Sequence, residues 1–146
     1  KYTYMLSNDW FAGESESDKG RIITRGRMFA ENGNTSGLFR TRVEIQWKYK
    51  GETDGMPSAD ETEVIDRIMN LLTEALERSK IAILTAIHIG GKQALYVYYT
   101  QELQALSGKV NELLGKLPSL PIQIGATGDP DWTDYKQMLK KFGINH

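Results

Sequence analysis

The stretch Lys80–Thr100, KIAILTAIHIGGKQALYVYYT, decides how this chain folds. Two runs of β-branched and aromatic residues flank Gly90-Gly91, and a Gly-Gly pair supplies the positive φ angles of a two-residue hairpin turn. A turn at that pair sets Ile89 opposite Lys92, His88 opposite Gln93, Thr85 opposite Tyr96 and Ile83 opposite Tyr98. One face then carries Leu84, Ala86, Leu95, Val97 and Tyr99; the other carries Ile83, Ile87, Ala94, Tyr96 and Tyr98. Both faces are apolar, so the hairpin requires a layer on each side. The helix-facing side is expected to be that of Leu84, Leu95, Val97 and Tyr99. What meets Ile83, Ile87, Tyr96 and Tyr98 then decides between a closed domain and a binding surface.

Upstream, Leu38–Lys50 alternates Val43, Ile45, Trp47 and Tyr49 with Arg42, Glu44, Gln46 and Lys48, the period-2 signature of a half-buried strand, with its Val43 side toward the helices. Ser58 and Glu61 form a capping box ahead of a helix whose stripe includes Val64, Ile65, Ile68, Leu72 and Leu76. Downstream, Thr100 is placed to cap a second helix carrying Leu103, Leu106, Val110, Leu113 and Leu117. Gly108 inside it costs about 1 kcal/mol against alanine and predicts a kink or break. Pro121–Thr127 reads as a strand. Asp129-Pro130 opens a last helix with Trp132, Tyr135, Met138, Leu139 and Phe142 on one stripe and Gly143 as its stop.

From residue 38 to 128 the order is strand, helix, strand, strand, helix, strand. The fold expected is α+β, with a ferredoxin-like βαββαβ core. Ahead of it, residues 1–37 read as an N-terminal hairpin extension: a strand at Tyr2–Leu6, a buried Trp10, a polar loop at Gly13–Gly20 and a strand at Arg21–Phe29. Residues 129–143 add a C-terminal helix. All 146 residues make a single domain, long enough for a substantial core.

The absence of cysteine excludes disulfides, thiolate metal sites and a cysteine nucleophile. His88 and His146 are the two histidines, too few for a histidine-rich metal centre. No apolar run approaches the roughly 18 residues needed to cross a bilayer, so no membrane partner is expected and a cytoplasmic location is. The chain starts at Lys1, which leaves a removed leader as the alternative. The net charge of −1 is unevenly spread. Residues 19–50 hold eight basic and two acidic side chains, net +6, and residues 51–80 hold eight acidic and three basic, net −5. Such asymmetry marks either a binding surface or two segments lying against each other.

Several landmarks follow in one order: Trp10, Arg25-Gly26-Arg27, VEIQWKY ahead of Asp54-Gly55-Met56-Pro57, a strand ending Tyr98-Tyr99-Thr100, and Asp129-Pro130-Asp131-Trp132-Thr133-Asp134-Tyr135. Together these resemble the bacterial domain-of-unknown-function 695 family, over nearly the whole chain. The family has no established activity, so the resemblance implies no catalytic residues and no cofactor. Its members are sometimes joined to a domain similar to the regulator of ribonuclease activity B, an inhibitor of RNase E. That association implies regulation by protein contact.

Four candidate sites follow from the residues. Arg25, Arg27, Arg40 and Arg42 lie pairwise on strand faces that a hairpin could bring together, which would suit a phosphate, an RNA backbone or an acidic partner. The competing reading is cross-strand pairing with Glu44 and coverage of apolar surface by their stems. Tyr96 and Tyr98, if left uncovered, would form an exposed aromatic patch for a partner or a homodimer. RNA binding by the sheet, as in RNA-recognition motifs, is the weaker reading. Tyr96, Val97 and Tyr99 fit that pattern, whereas Ala94 and Leu95 depart from it. An acid–base or metal site would have to be built from His88, Asp129 and Asp131, although Asp129 and Asp131 are accounted for at a helix start. No HExxH, GxSxG or glycine-rich phosphate loop appears. The leading expectation is a non-enzymatic interaction or regulatory module.

Overall fold

The Lys80–Thr100 hairpin forms the centre of the sheet. The computed structural model describes residues 6–115 and 120–144. Its strands are β1 (Trp10–Ser17), β2 (Gly20–Arg27), β3 (Thr41–Lys48), β4 (Ala82–Gly90), β5 (Gln93–Thr100) and β6 (Ile122–Gly128). They form one six-stranded sheet in the order β1-β2-β4-β5-β3-β6, with every neighbouring pair antiparallel. The helices are α1 (Ala59–Arg78), α2 (Leu103–Leu114) and α3 (Thr133–Lys141), with a short 3-10 helix at Ala30–Asn34. The fold is therefore α+β. The N-terminal hairpin β1-β2 extends the sheet beyond β4.

The central hairpin turns one residue later than the Gly-Gly pair predicts. Gly90 pairs with Gln93, and Gly91 and Lys92 make the turn with φ of 60° and 66°. Gly90 stays in β4, where a Cβ would collide with the Arg21 carbonyl of β2. A register shift between Leu84 and Ala86 then moves residues before Thr85 to the other face. Leu84 pairs with Tyr98, while Ile83 turns away beside Tyr99.

The expected helix-facing set is corrected accordingly. Ala82, Leu84, Ile87 and Ile89 of β4 join Ala94, Tyr96 and Tyr98 of β5 under α1 and α2. Val97 and Tyr99 face α3 with Ile83 and Ala86. The reason lies in β3, which sets Val43 opposite Tyr98 and Ile45 opposite Tyr96, so the tyrosines share the helix-facing side of that strand. Their hydroxyls are satisfied there. Tyr96 donates to the Ile65 carbonyl at 2.8 Å, and the Tyr98 and Thr73 hydroxyls are 2.9 Å apart. A paired hydroxyl lets a tyrosine be buried whole.

Other boundaries also move. Gly13–Ser17 belongs to strand β1 rather than to a loop, because an edge strand tolerates polar residues. The expected strand at Tyr2–Leu6 falls mostly on residues 1–5, outside the described residues, as does Leu117 beyond α2. The Ser58–Glu61 capping box forms as expected. α2 runs through Gly108 without interruption and starts after Glu102, while Thr100 ends β5. α3 starts at Thr133, four residues beyond Asp129, after a turn that holds Trp132 in a left-handed conformation (φ 57°).

α1 and α2 cover one face of the sheet. On the other face, α3 has nine residues and is about 14 Å long, against roughly 24 Å across six strands. It covers Phe11, Ala86, Val97 and Tyr99, and the short 3-10 helix with Leu6 and Phe39 packs over Ile83 on the same face.

Candidate functional site

The DPDWTDY segment fastens α3 to the sheet. Asp129 accepts the Tyr99 hydroxyl at 2.7 Å and the amides of Thr133 and Asp134 at 2.9 and 3.0 Å. Burial pushes the Asp129 carboxyl up, and these hydrogen bonds outweigh it, holding the group below the usual carboxylate value. Trp132 stacks on Tyr99 at 4.3 Å and donates to the Phe39 carbonyl at 2.7 Å. Tyr135 donates to the Arg27 carbonyl and accepts from the Ala30 amide. Asp129 is thus committed to structure, and Asp131 is exposed beside it.

The arginines do not form one cluster. Arg25 meets Asp66 at 3.0 Å and Arg27 meets Glu77 at 2.8 Å, both on α1. Arg42 points to the opposite face, where it reaches Asp134 of α3 at 2.7 Å and Glu44 at 2.5 Å. Arg40 is exposed ahead of β3, and its carbonyl accepts the Asp129 amide. The charge asymmetry of the sequence therefore serves, in large part, to bind β2 to α1. Tyr96 and Tyr98 are fully buried, so the aromatic patch they would have formed, and any base-stacking platform built on them, is absent from the surface.

His88 lies half-buried on the α3 face. One row crosses all six strands there: Gly13, Thr24, His88, Leu95, Gln46 and Gln123, each paired with the next. The Thr24 hydroxyl is 2.8 Å from His88 Nδ1. A shallow cleft of about 350 Å³ between this row and the flank of α3 is lined by Ser15, Thr24, His88, Asp134, Gln137 and Lys141 among others. The carboxylates sharing a cleft with His88 are Glu16 and Asp134 rather than Asp129, and Asp134 is held by Arg42. Burial lowers the His88 pKa from its ordinary value, Asp134 opposes that, and Arg42 and Lys141 add to it. The imidazole is neutral at pH 7, and of the charged groups lining the cleft Asp134 is paired with Arg42. No group of three or more metal-ligating side chains gathers among the described residues.

The sheet's two edges differ. β1, WFAGESES, carries Glu14 and Glu16, and charges of this kind blunt an edge against further pairing. β6, IQIGATG, has no charged residue and is exposed over its last four positions. Among the described residues it pairs only with β3. A second shallow depression of about 460 Å³ lies beside it, lined by Glu44, Gln46, Leu95, Gln123, Ile124 and Gly125. Gln46 donates to Gln93 at 2.5 Å and pairs with Gln123, so an amide stripe reaches this edge. The sequence pattern identifies the strand but not its position at the edge; the uncharged run Leu120–Gly128 is the one signal pointing there.

Residues 8–140 match the family described as "Family of unknown function (DUF695)". The chain belongs to that family. No curated protein and no solved structure matches it. In this DUF695 chain the landmarks behind the resemblance are framework contacts. Gly55, at φ 86°, receives the Lys92 amide and the Tyr49 hydroxyl on its carbonyl, both at 2.9 Å, which docks the Asp54–Pro57 turn on the central hairpin. The DPDWTDY segment does the same for α3. Among the described residues, no helix of this DUF695 chain is long and apolar enough to cross a membrane.

Proposed function

We propose that this DUF695 chain is a non-enzymatic protein-interaction module, regulatory by contact, that takes up an extended segment of polypeptide along the open edge of β6. The observation that carries this reading is the contrast between the sheet's edges: β1 bears two glutamates and β6 bears no charge. An unpaired edge presents a row of backbone donors and acceptors, and strand addition uses them for affinity while alternate side chains supply selectivity. Three other features support it. Arg25, Arg27 and Arg42 are spent on internal ion pairs, Tyr96 and Tyr98 are buried, and Asp134 is held by Arg42 instead of standing free beside His88. The scaffold behind the edge is read as a ferredoxin-like core over residues 38–128. The adjacency β4-β5-β3-β6 supports this, with α1 and α2 packed on one face and β1-β2 added outside.

A displayed peptide library selected on sparsely immobilised protein tests the reading. Extended peptides with alternating apolar residues should be enriched. Their binding should be lost in Gly125→Lys, which sets a charge on the edge where a side chain meets no neighbour. It should survive Gly125→Ala. Peptides that bind wild type and Gly125→Lys equally would place the interaction elsewhere and refute the proposal.

A further inference from the structure

We infer that the strand added at β6 is β6 of a second copy, so that two chains join edge to edge about a two-fold axis. This rests on the strand-addition reading above and names its occupant. A two-fold contact must be self-complementary, because each residue meets its own counterpart surface. β6 meets that condition in charge, since no residue from Leu120 to Gly128 is ionised and antiparallel self-pairing sets no like charges opposite each other. β1 does not, with Glu14 and Glu16 in one short strand.

The face pattern agrees. Ile122 and Ile124 point to the α1–α2 side, packed only partly against its core. Gln123 lies on the other side, in the row of His88 and Gln46. An antiparallel pairing centred on Gly125 sets Ile124 opposite Ala126 and Gln123 opposite Thr127, each on a common face. The second copy then covers the free flank of the isoleucines and sets a Thr127 hydroxyl beside Gln123, the outer end of the row that holds His88 and Gln46. A Cβ at Gly125 or Gly128 would meet no atom within 4 Å, so a side chain introduced there is accommodated without displacing this chain's own atoms.

Sedimentation velocity on the full chain over a wide concentration range tests this. Wild type should sediment as a dimer, Gly125→Ala likewise, and Gly125→Lys as a monomer with an unchanged circular dichroism spectrum and melting curve. Gln123→Lys provides a second edge charge should the first variant fold poorly. Hydrogen exchange should be slow at the outward amides of β6 in wild type and fast in the lysine variants. A monomeric wild type, a dimer that persists in both lysine variants, or an open series of larger species would each overturn the inference. In the first case the peptide selection still decides separately whether β6 accepts strands at all.

Discussion

Arg27 of β2 and Glu77 of α1 form a two-pronged ion pair inside the protein, with Nη1 to Oε2 at 2.8 Å and Nη2 to Oε1 at 3.3 Å. Both side chains also bond Leu84 of β4. Arg27 donates to its carbonyl at 3.1 Å, and Glu77 accepts its amide at 2.8 Å. Trp10 lies against the guanidinium at 5.0 Å. One pair thus ties the N-terminal hairpin, the long helix and the central strand together. Removing either partner leaves the other buried without a counter-charge, which costs about 3–5 kcal/mol. Arg27→Ala and Glu77→Ala should each lose that much in urea denaturation. The half-exposed Arg25–Asp66 pair should contribute only about 0–1 kcal/mol, so Arg25→Ala serves as the comparison. A loss at Arg27 no larger than at Arg25 would mean that water reaches the pair.

How much of this was legible depends on whether a residue's role is local. The α1 start was readable because Ser58 and Glu61 form a complete cap within four residues. β3 was readable because every second residue is apolar. The bulge at Thr85 was not, since no glycine or proline marks it and only pairing across to β5 reveals it. Nor was the side on which Tyr96 and Tyr98 lie. That follows from their register with Val43 and Ile45, a relation over some fifty residues of chain. The open edge was hidden for the same reason. Whether Ile122–Gly128 is inner or outer depends on which strand it meets, and local pattern carries no such information. The ion pairs were half legible: the charge asymmetry said that something opposed something, without naming Asp66, Glu77 or Asp134.

The turn of the central hairpin carries a removable strain. Lys92 occupies the left-handed region at φ 66°, beside Gly91 at φ 60°. A side chain there costs roughly 1–2 kcal/mol relative to glycine, and part of that gain is offset because glycine also loosens the unfolded chain. Lys92→Gly should therefore stabilise the fold by about 1 kcal/mol, and Lys92→Asn by less. The backbone contacts of the turn, Lys92 amide to Gly55 and Tyr49 amide to Lys92, are retained in both variants. A destabilised Lys92→Gly in thermal or urea unfolding would show that the lysine stem, packed near Gly51, outweighs the backbone term.

His88, half-buried in the cleft beside α3, makes stability respond to pH. Its folded-state pKa is lowered from the ordinary value of 6.5, chiefly by burial. Above that ordinary value the imidazole is neutral in both folded and unfolded chains, and its contribution to stability is complete. As pH falls below it, the unfolded chain takes up a proton that the folded protein resists, so stability declines until the folded pKa is passed and then levels off. Besides burial, the groups that set this are Asp134 and Glu44, which favour the charged ring, and Arg42 and Lys141, which oppose it. His88→Gln should remove this part of the pH dependence. Asp134→Asn should steepen it, because the larger of the two influences favouring protonation is lost. Ring-proton NMR titration of His88 is the direct measurement. A midpoint at or above 6.5 would contradict the buried, neutral imidazole, as would an unfolding free energy equally steep between pH 5 and 7 in wild type and His88→Gln.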